Sequence, residues 1–193
     1  MAGVPWIILP TFDEAENLEA IVAVILPVMR EAVGREAFRV LVVDDNSPDG
    51  TGKIADRLAE DEPEIQVLHR ATREGLGPAY LAGFAVALAG GATHVIEMDA
   101  DFSHEPHDLP RLLDAAEDAD LVLGSRYVHG GVVADWGIGR RIISRGGSAY
   151  ARRVLGLSRS ATSRAASSAF AARCSRRSTC PACARTATRS RSS

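Results

Sequence analysis

Residues 93–104 read THVIEMDADFSH, and the interpretation of the whole chain starts from this stretch. A short apolar run ends in two aspartates, Asp99 and Asp101, one residue apart. Alternate side chains of a strand share a face, so both carboxylates can point the same way where the strand runs into a loop. Carboxylate oxygens at an open strand end suit Mg²⁺ or Mn²⁺. Two solvated loop aspartates have the same spacing, so the neighbouring sequence must decide between these readings.

The flanking sequence alternates short apolar runs with helix-length amphipathic segments. This alternation predicts an α/β fold with a doubly wound, mostly parallel sheet, the Rossmann-like arrangement of nucleotide-binding domains. Apolar runs of four or five residues between turn signals are typical of buried strands. The five predicted strands are residues 6–9, 39–43, 65–68, 95–98 and 121–124.

Polar clusters follow three of the predicted strands, at residues 10–14, 44–49 and 99–104. Ligands of doubly wound sheets bind at the carboxyl ends of the strands, so these clusters are expected to meet at one site. No G-x-G-x-x-G follows the first strand, and no G-x-x-x-x-G-K-[ST] occurs in the chain. The common dinucleotide and P-loop fingerprints are therefore excluded.

Composition is that of a globular protein, with 46% hydrophobic and 24% charged residues in a chain of 193. That length fits one domain with a sizeable core. The sequence shows no pattern of a signal peptide and no apolar run near the ~20 residues that span a bilayer. Contact with a membrane is therefore expected to be peripheral.

Four motifs follow one another in order at the ends of predicted strands. They are residues 10–18 (PTFDEAENL), 42–51 (VVDDNSPDGT), 99–106 (DADFSHEP) and 124–127 (GSRY). Together they resemble the inverting GT-A glycosyltransferases of family 2, and most closely the dolichol-phosphate (polyprenol-phosphate) mannosyltransferases. The resemblance extends over about residues 5–157.

The resemblance implies an enzyme, a hexosyltransferase similar to dolichyl-phosphate β-D-mannosyltransferase. Such an enzyme moves mannose from GDP-mannose to a polyprenyl phosphate with inversion, and it depends on Mg²⁺ or Mn²⁺. The implied location is the cytoplasmic face of the membrane, with peripheral contact at its surface. Nucleic acid is not an expected partner.

The resemblance also implies a role for individual motif residues on the donor side. Asp45 is expected to accept N–H bonds from guanine, with Pro10 and Glu14 lining the same pocket. Glu14 could equally complement a helix dipole. The other residues expected to contact the donor are Thr11, Asp44, Asp99 and Ala100.

The implied metal ligands are Asp99, Asp101 and Ser103, and Ser103 stands where family members often carry Gln. Asp101 and Arg126 are the residues expected to act in catalysis. A lipid phosphate is already anionic at neutral pH and needs positioning more than a general base. Arginines bind such an anion through forked hydrogen bonds. The residues implied to hold the acceptor phosphate are Arg126, Arg140, Ser144 and Arg145.

Residues 139–157 mix apolar side chains with five arginines. They match the acceptor loop and interface helix of the family, and they predict a basic amphipathic helix that lies on an anionic membrane surface. An ordinary surface helix packed against the sheet fits the same pattern. The glycosyltransferase domain is thus predicted to occupy residues 1–157.

Composition changes abruptly after residue 157. Residues 158–193 contain ten Ser, nine Ala and eight Arg, with no Asp, Glu, Leu, Ile, Val, Met or Gly. Such a segment has little to bury and is predicted to be disordered. The family continues here with D-x-[TS]-G-G-F, and an adjacent reading frame over residues 160–167 can encode that motif. We therefore interpret the segment as aberrant and frameshifted; a genuine basic tail is the alternative.

Other functions stay open at this point. A polyprenyl-phosphate glucosyltransferase using UDP-glucose has the same motif spacing. A phosphatase with Asp99 as nucleophile would explain the D-x-D but neither of the motifs at 42–51 and 124–127. An inactive nucleotide-binding remnant is the third alternative, because the altered segment lacks an element of the acceptor side.

Overall fold

The computed structural model describes residues 4–124, 161–163 and 170–173. Helices and strands alternate through residue 124, as the sequence predicts. The strands are β1 (Pro5–Thr11), β2 (Arg39–Asp44), β3 (Ile65–His69), β4 (His94–Glu97), β5 (Leu121–Gly124), β6 (Ala161–Ser163) and β7 (Phe170–Arg173). The helices are α1 (Leu18–Val33), α2 (Thr51–Asp61), α3 (Leu76–Ala89) and α4 (Leu109–Ala116), with a 3₁₀ turn at Pro106–Asp108 before α4.

The strands form one sheet in the order β3-β2-β1-β4-β7-β5-β6. Neighbours from β3 to β4 are parallel, and β5 is parallel to β6. Strand β7 is antiparallel to both β4 and β5. The predicted fold class, a mostly parallel α/β sheet with flanking helices, is confirmed.

Helices cover both faces of the sheet. Helices α1, α2 and α4 pack on one face over a core that includes Ile7, Leu9 and Ile96. Helix α3 packs on the other face, over Ile8, Leu41 and Val43. Adjacent residues of β1 and β2 thus enter different cores, because successive side chains of a strand point to opposite faces. This explains why these strands are apolar throughout.

Helix α1 begins after the acidic residues of the first motif. Acidic residues are typical of a first helical turn, but those at residues 13–16 precede the helix, which begins at Leu18. Asp13 has a φ of +58°, which is outside the helical region. Residues 14–17 form a turn in which the N–H groups of Asn17 and Leu18 both donate to the carbonyl of Glu14, at 3.0 and 2.9 Å.

Two short strands come from the segment that was predicted to be disordered. β6 and β7 place seven of its residues in the sheet, so the predicted lack of packing does not hold for them. A strand is held by backbone hydrogen bonds, which do not require the Leu, Ile, Val and Met side chains that this segment lacks. The rest of residues 158–193 lies outside the described part of the chain, and the boundary at residue 157 stays a prediction.

Candidate active site at the carboxyl edge of the sheet

The order of the strands creates a cleft beside β1. From β1 the chain continues to β2 on one side, whereas β4 joins from the other side, and such a reversal leaves a crevice at the carboxyl ends of the strands. The last hydrogen bond between β1 and the β4 segment runs from Met98 N–H to the Ile8 carbonyl, at 3.1 Å. Beyond it, residues from both segments, 10–14 and 99–101, line the cleft.

The cleft has a volume of about 240 Å³. Its walls combine four segments that are far apart in sequence. Seven of the residues predicted from the motifs line it: Pro10, Thr11, Glu14, Asp45, Asp99, Ala100 and Asp101. The other lining residues are Phe12, Arg73, Gly75, Leu76 and Ala79. The structure therefore brings together most of the predicted donor side.

Asp99 is held from two sides. The Tyr80 hydroxyl donates to Asp99 Oδ1 at 2.9 Å. The Asp99 backbone N–H donates to His104 Nδ1 at 3.0 Å, and His104 Nε2 lies 3.7 Å from Asp99 Oδ2. Burial, and next the negative charge of Asp99, raise the pKa of Tyr80 far above its usual range, so the hydroxyl keeps its proton.

Asp101 belongs to a tight turn at the mouth of the cleft. Its Oδ1 accepts the Ser103 N–H at 2.9 Å, and Phe102 between them has a φ of +58°. Burial alone would raise the pKa of Asp101, but hydrogen bonds from the Ser103 side chain and backbone outweigh it and lower that pKa. Asp101 is thus an anion at neutral pH. Ser103, a predicted metal ligand, adjoins Asp101 but does not line the cleft.

The carboxylates of Asp99 and Asp101 lack a Lys or Arg partner among the described residues. No Lys or Arg of the described ranges lies within 4.0 Å of Asp99 or Asp101. Burial, followed by the charge of Asp99, raises the pKa of Glu97 at the end of β4. Negative charge is therefore concentrated here with no described Lys or Arg to balance it, which favours a bound cation.

The donor set fits a divalent metal that a ligand helps to bind. In residues 4–124, 161–163 and 170–173 no three His, Cys, Asp or Glu side chains converge as a metal cage. Mg²⁺ is commonly bound by only one or two carboxylates together with substrate phosphates and water. Asp99 and Asp101 match that requirement in number and chemistry.

Asp45 is buried at the opposite end of the cleft, with 4% of its surface exposed. Its Oδ2 accepts the backbone N–H groups of Glu74 and Gly75 at 3.0 and 3.1 Å, and its Oδ1 accepts from the Arg70 guanidinium. Arg70 also pairs with Glu74. Asp45 therefore fixes the loop between β3 and α3 against the cleft, in addition to any contact with a ligand.

Asp44 does not line the cleft. Its buried carboxylate faces the other side of β2, where Oδ2 lies 3.6 Å from His69 Nδ1 and would be 2.9 Å from a Cβ at Gly52. His69 Nε2 also contacts Asp56 Oδ1 at 2.8 Å. Asp44 Oδ1 is buried without a hydrogen-bond partner in the described residues. In this structure the predicted contact of Asp44 with a donor is not supported by its position.

Hydrogen bonds join the first two motifs. Backbone N–H groups of Glu14 and Ala15 donate to Thr51 Oγ1 and Asp49 Oδ2, both at 3.0 Å. Hydrogen bonds from Thr51 and Ala15 outweigh the effect of burial and lower the pKa of Asp49. These bonds set the position of the Glu14 end of the cleft. Asp49 in the second motif is thus a structural anion.

The sequence interpretation missed several residues of this region. Arg73 stacks on Phe12, with its guanidinium carbon 3.7 Å from the ring centroid, and so joins two loops at the rim. Phe12 was part of a quoted motif and could have been selected. Nothing local marks Tyr80, because its contact with Asp99 arises from packing of α3 across the sheet.

The predicted acceptor side falls outside the described residues. Arg126, Arg140, Ser144 and Arg145 all lie there, as does the predicted amphipathic helix at residues 139–157. The contacts described above concern the donor side of the cleft alone.

Comparison with known families identifies this architecture. The family model described as "Glycosyl transferase family 2" matches residues 6–173. The chain belongs to glycosyl transferase family 2. The match includes β7, and it ends at the last residue of that strand.

Two curated relatives of this glycosyltransferase carry similar names. Undecaprenyl-phosphate mannosyltransferase of Micrococcus luteus is 51% identical over 150 residues, which are 78% of this chain and 59% of that protein. Polyprenol monophosphomannose synthase of Mycolicibacterium smegmatis is 47% identical over 153 residues, 78% of this chain and 56% of that protein. The chain therefore spans less than two thirds of the length of these relatives.

Solved structures agree with the fold. Glucosyl-3-phosphoglycerate synthase from Mycobacterium tuberculosis, in complex with Mg²⁺ and uridine diphosphate, has a TM-score of 0.58 at 20% identity, covering 89% of this chain and 56% of that one. Mannosyl-3-phosphoglycerate synthase from Rubrobacter xylanophilus has a TM-score of 0.57 at 18% identity, covering 88% and 53%. At such identities the likeness shows the GT-A fold alone.

Proposed function

We propose that this glycosyltransferase transfers mannose from GDP-mannose to a polyprenyl phosphate with inversion at the anomeric carbon. The observation that carries the proposal is the pair of carboxylates, Asp99 and Asp101, which lie at the switch point of the sheet without a Lys or Arg partner among the described residues. The names of the relatives support the choice of sugar and acceptor. The proposal concerns the whole reaction. The described residues include the predicted donor-binding residues, and the predicted acceptor-binding residues lie outside them.

The diphosphate end of the donor is assigned to Asp99 and Asp101. When bound there, Mg²⁺ or Mn²⁺ would supply positive charge to the diphosphate as it leaves. Both carboxylates keep oxygens available on the cleft side, and the lowered pKa of Asp101 keeps it ionised. Asp101 is the residue of the pair that we propose acts directly at the leaving group.

The base end of the donor is assigned to Asp45 and its surroundings. Each carboxylate oxygen has two lone pairs, so Asp45 Oδ1, which accepts from Arg70, retains one acceptor position. Guanine can donate to it through a ring N–H. Pro10 and Glu14 line the same cleft and would border the nucleoside.

The reaction itself needs little proton transfer. A phosphate oxygen of the lipid attacks the anomeric carbon as the bond from that carbon to the GDP oxygen breaks, and GDP departs with the electron pair. Attack on the opposite face gives inversion. Arg126 and the residues Arg140, Ser144 and Arg145 are proposed to hold the acceptor anion. Because the donor is water-soluble and the acceptor a membrane lipid, we place the reaction at the cytoplasmic membrane face.

A transfer assay with the 193-residue chain tests the activity. The chain is incubated with radiolabelled GDP-mannose, a polyprenyl phosphate and Mn²⁺, and the lipid phase is extracted. We expect labelled mannose in the lipid phase, absent when the metal is chelated and released from the lipid by mild acid, as a glycosyl phosphodiester requires. Label that stays in the aqueous phase as free mannose or GDP-mannose would refute transfer by this chain.

Calorimetry tests the donor separately. GDP-mannose and UDP-glucose are each titrated into the chain in the presence of Mn²⁺. We expect tighter binding of GDP-mannose. Tighter binding of UDP-glucose would favour the glucosyltransferase alternative, and no binding of either would favour an inactive remnant.

Membrane contact stays part of the proposal. Within the described residues, no helix is both long enough and apolar enough to cross a bilayer. Sedimentation with vesicles of anionic lipid, compared with neutral vesicles, measures peripheral binding directly.

A further inference from the structure

We propose that Tyr80 is a positioning residue that fixes the orientation of Asp99 for metal binding. This inference rests on the proposed function, since it concerns the same carboxylate pair. Tyr80 touches neither substrate nor metal in the proposal; it acts through Asp99. Its position at the start of the second turn of α3 separates it from every motif that indicated the site.

The contact itself is direct and nearly buried. The Tyr80 hydroxyl lies 2.9 Å from Asp99 Oδ1, and an ionised carboxylate can only accept, so the tyrosine donates. Tyr80 is 9% exposed, whereas the Asp99 side chain is 34% exposed. The bond therefore joins a fixed side chain to one that faces the cleft. One oxygen of Asp99 is committed to the protein, and the other is left to face a ligand.

A second contact limits the remaining freedom of Asp99. His104 accepts the backbone N–H of Asp99 through Nδ1, so the neutral ring carries its proton on Nε2. That nitrogen lies 3.7 Å from Asp99 Oδ2, whereas Tyr80 binds Oδ1. Rotation of the carboxylate would lose the bond to Tyr80. His104 thus holds the backbone of Asp99, and Tyr80 favours one orientation of its carboxylate.

Close packing of α3 makes this bond possible. Gly83, one turn after Tyr80, approaches the sheet so closely that a Cβ there would be 2.5 Å from Ile8 Cγ2 and 3.2 Å from Val43 Cγ2. The neighbouring Ala79 and Ala87 are also buried small residues on that face. Small side chains let the helix lie against the strands, and the tyrosine hydroxyl then reaches the end of β4.

The same helix also anchors the other end of the cleft. The backbone N–H groups of Glu74 and Gly75, directly before α3, donate to Asp45. One rigid element thus holds a carboxylate at each end. A residue that orients a metal ligand from outside the coordination sphere commonly contributes 10–100-fold to metal affinity, which sets the expected scale.

The test compares Tyr80→Phe with the unchanged chain. Mn²⁺ is titrated into each protein in the presence of GDP, and binding is followed by calorimetry and by the electron paramagnetic resonance of free Mn²⁺. We expect the dissociation constant for Mn²⁺ to rise about 10-fold in Tyr80→Phe, because Asp99 loses its fixed orientation. The thermal midpoint is measured in parallel and is expected to change little, because the ring and its packing remain.

Phe84→Leu is the matched control. Phe84 neighbours the Tyr80 ring, with centroids 6.1 Å apart, and is partly buried in the same cluster. We expect this variant to lower the thermal midpoint while leaving Mn²⁺ affinity unchanged. If Tyr80 acted only through stability, the affinity for Mn²⁺ would instead follow the thermal midpoint in both variants.

The outcomes separate this inference from the proposed function. If the unchanged chain binds Mn²⁺ and Tyr80→Phe binds it equally or more tightly, the positioning role is refuted and the proposed function stands. If the unchanged chain binds no Mn²⁺ in the presence of GDP, the proposed metal-dependent function fails, and the inference fails with it.

Discussion

Two pairs of carboxylates lie at opposite edges of the same sheet and have opposite surroundings. Glu62 and Glu64 precede β3 at the amino edge, and both pair with Arg30. The Glu64 side chain is fully buried and accepts Arg30 Nε and Nη2 at 3.0 and 2.9 Å. Asp99 and Asp101 follow β4 at the carboxyl edge and have no described Lys or Arg partner. The contrast indicates that the carboxylates paired with Arg30 maintain the fold, whereas those without a described Lys or Arg partner are available for the ligand proposed above.

The largest effect is expected for Asp99→Asn, which removes one of the unpaired charges. We expect binding of GDP-mannose in the presence of Mn²⁺ to weaken at least about 100-fold, because a neutral amide is a poor ligand for a hard cation. Calorimetry measures it, with the exposed Asp61→Asn at the end of α2 as the control. Equal binding of GDP-mannose by both variants would show that the Asp99 charge is not needed for binding, and the proposed difference between the two ends of the sheet would fail.

The second effect concerns stability and the paired edge. Arg30→Met leaves Glu64 buried without its cation, and we expect the free energy of unfolding to fall by about 2–4 kcal/mol. Arg57→Met is the matched control, since Arg57 and Glu19 lie 3.3 Å apart with side chains 57% and 65% exposed. An exposed pair contributes about 0–1 kcal/mol. Urea titrations at pH 7 measure the free energy of unfolding of both variants. Similar losses would contradict the stabilising role of the buried pair between Arg30 and Glu64.

The pair between Arg30 and Glu64 should stabilise the fold less at acidic pH. Hydrogen bonds from Arg30 lower the pKa of Glu64 to about 2 despite its burial, from an ordinary value of 4.5. A lowered pKa in the folded state stabilises the fold above pH 4.5, and this contribution is lost as the pH falls from 4.5 to 2. We expect the stability difference between the unchanged chain and Glu64→Gln to narrow over that range. Urea titrations between pH 3 and 6 measure the gap, and a constant gap would refute the assignment.

The smallest effect is expected at His69, a half-exposed residue that lies close to the carboxylates of Asp44 and Asp56. Its hydrogen bond to Asp56, with a further contribution from Asp44, raises its pKa above 6.5. A raised pKa stabilises the fold below pH 6.5, and that contribution is lost as the pH rises through the raised value. Because His69 and Asp56 are about half exposed, we expect less than about 1 kcal/mol.

His69→Asn should remove this pH dependence, and Asp56→Asn should remove most of it. Urea titrations at pH 6 and pH 9 provide the comparison. If Asp56→Asn left the dependence intact, the buried Asp44 would be the dominant partner of His69.

The strands and the site edge were predictable because each rests on a local pattern. Apolar runs ended where β1 to β5 end within two residues, and parallel strands align their carboxyl ends. Strand β7 was not predictable, since residues 170–173 carry no apolar alternation and gain their place through the neighbours β4 and β5. The contacts of Tyr80 and Arg70 were not predictable either, because each joins segments that only the packed sheet brings together.

The insertion of β7 between β4 and β5 also constrains how the molecule can be made. As the chain leaves the ribosome, β4 and β5 emerge long before residues 170–173, and neither can complete its hydrogen bonds until those residues arrive. The nascent protein thus carries an unpaired strand edge next to the loop that contains Asp99 and Asp101. The hydrogen bonding of β4 and β5 is completed only by four residues from a stretch whose composition does not predict a strand.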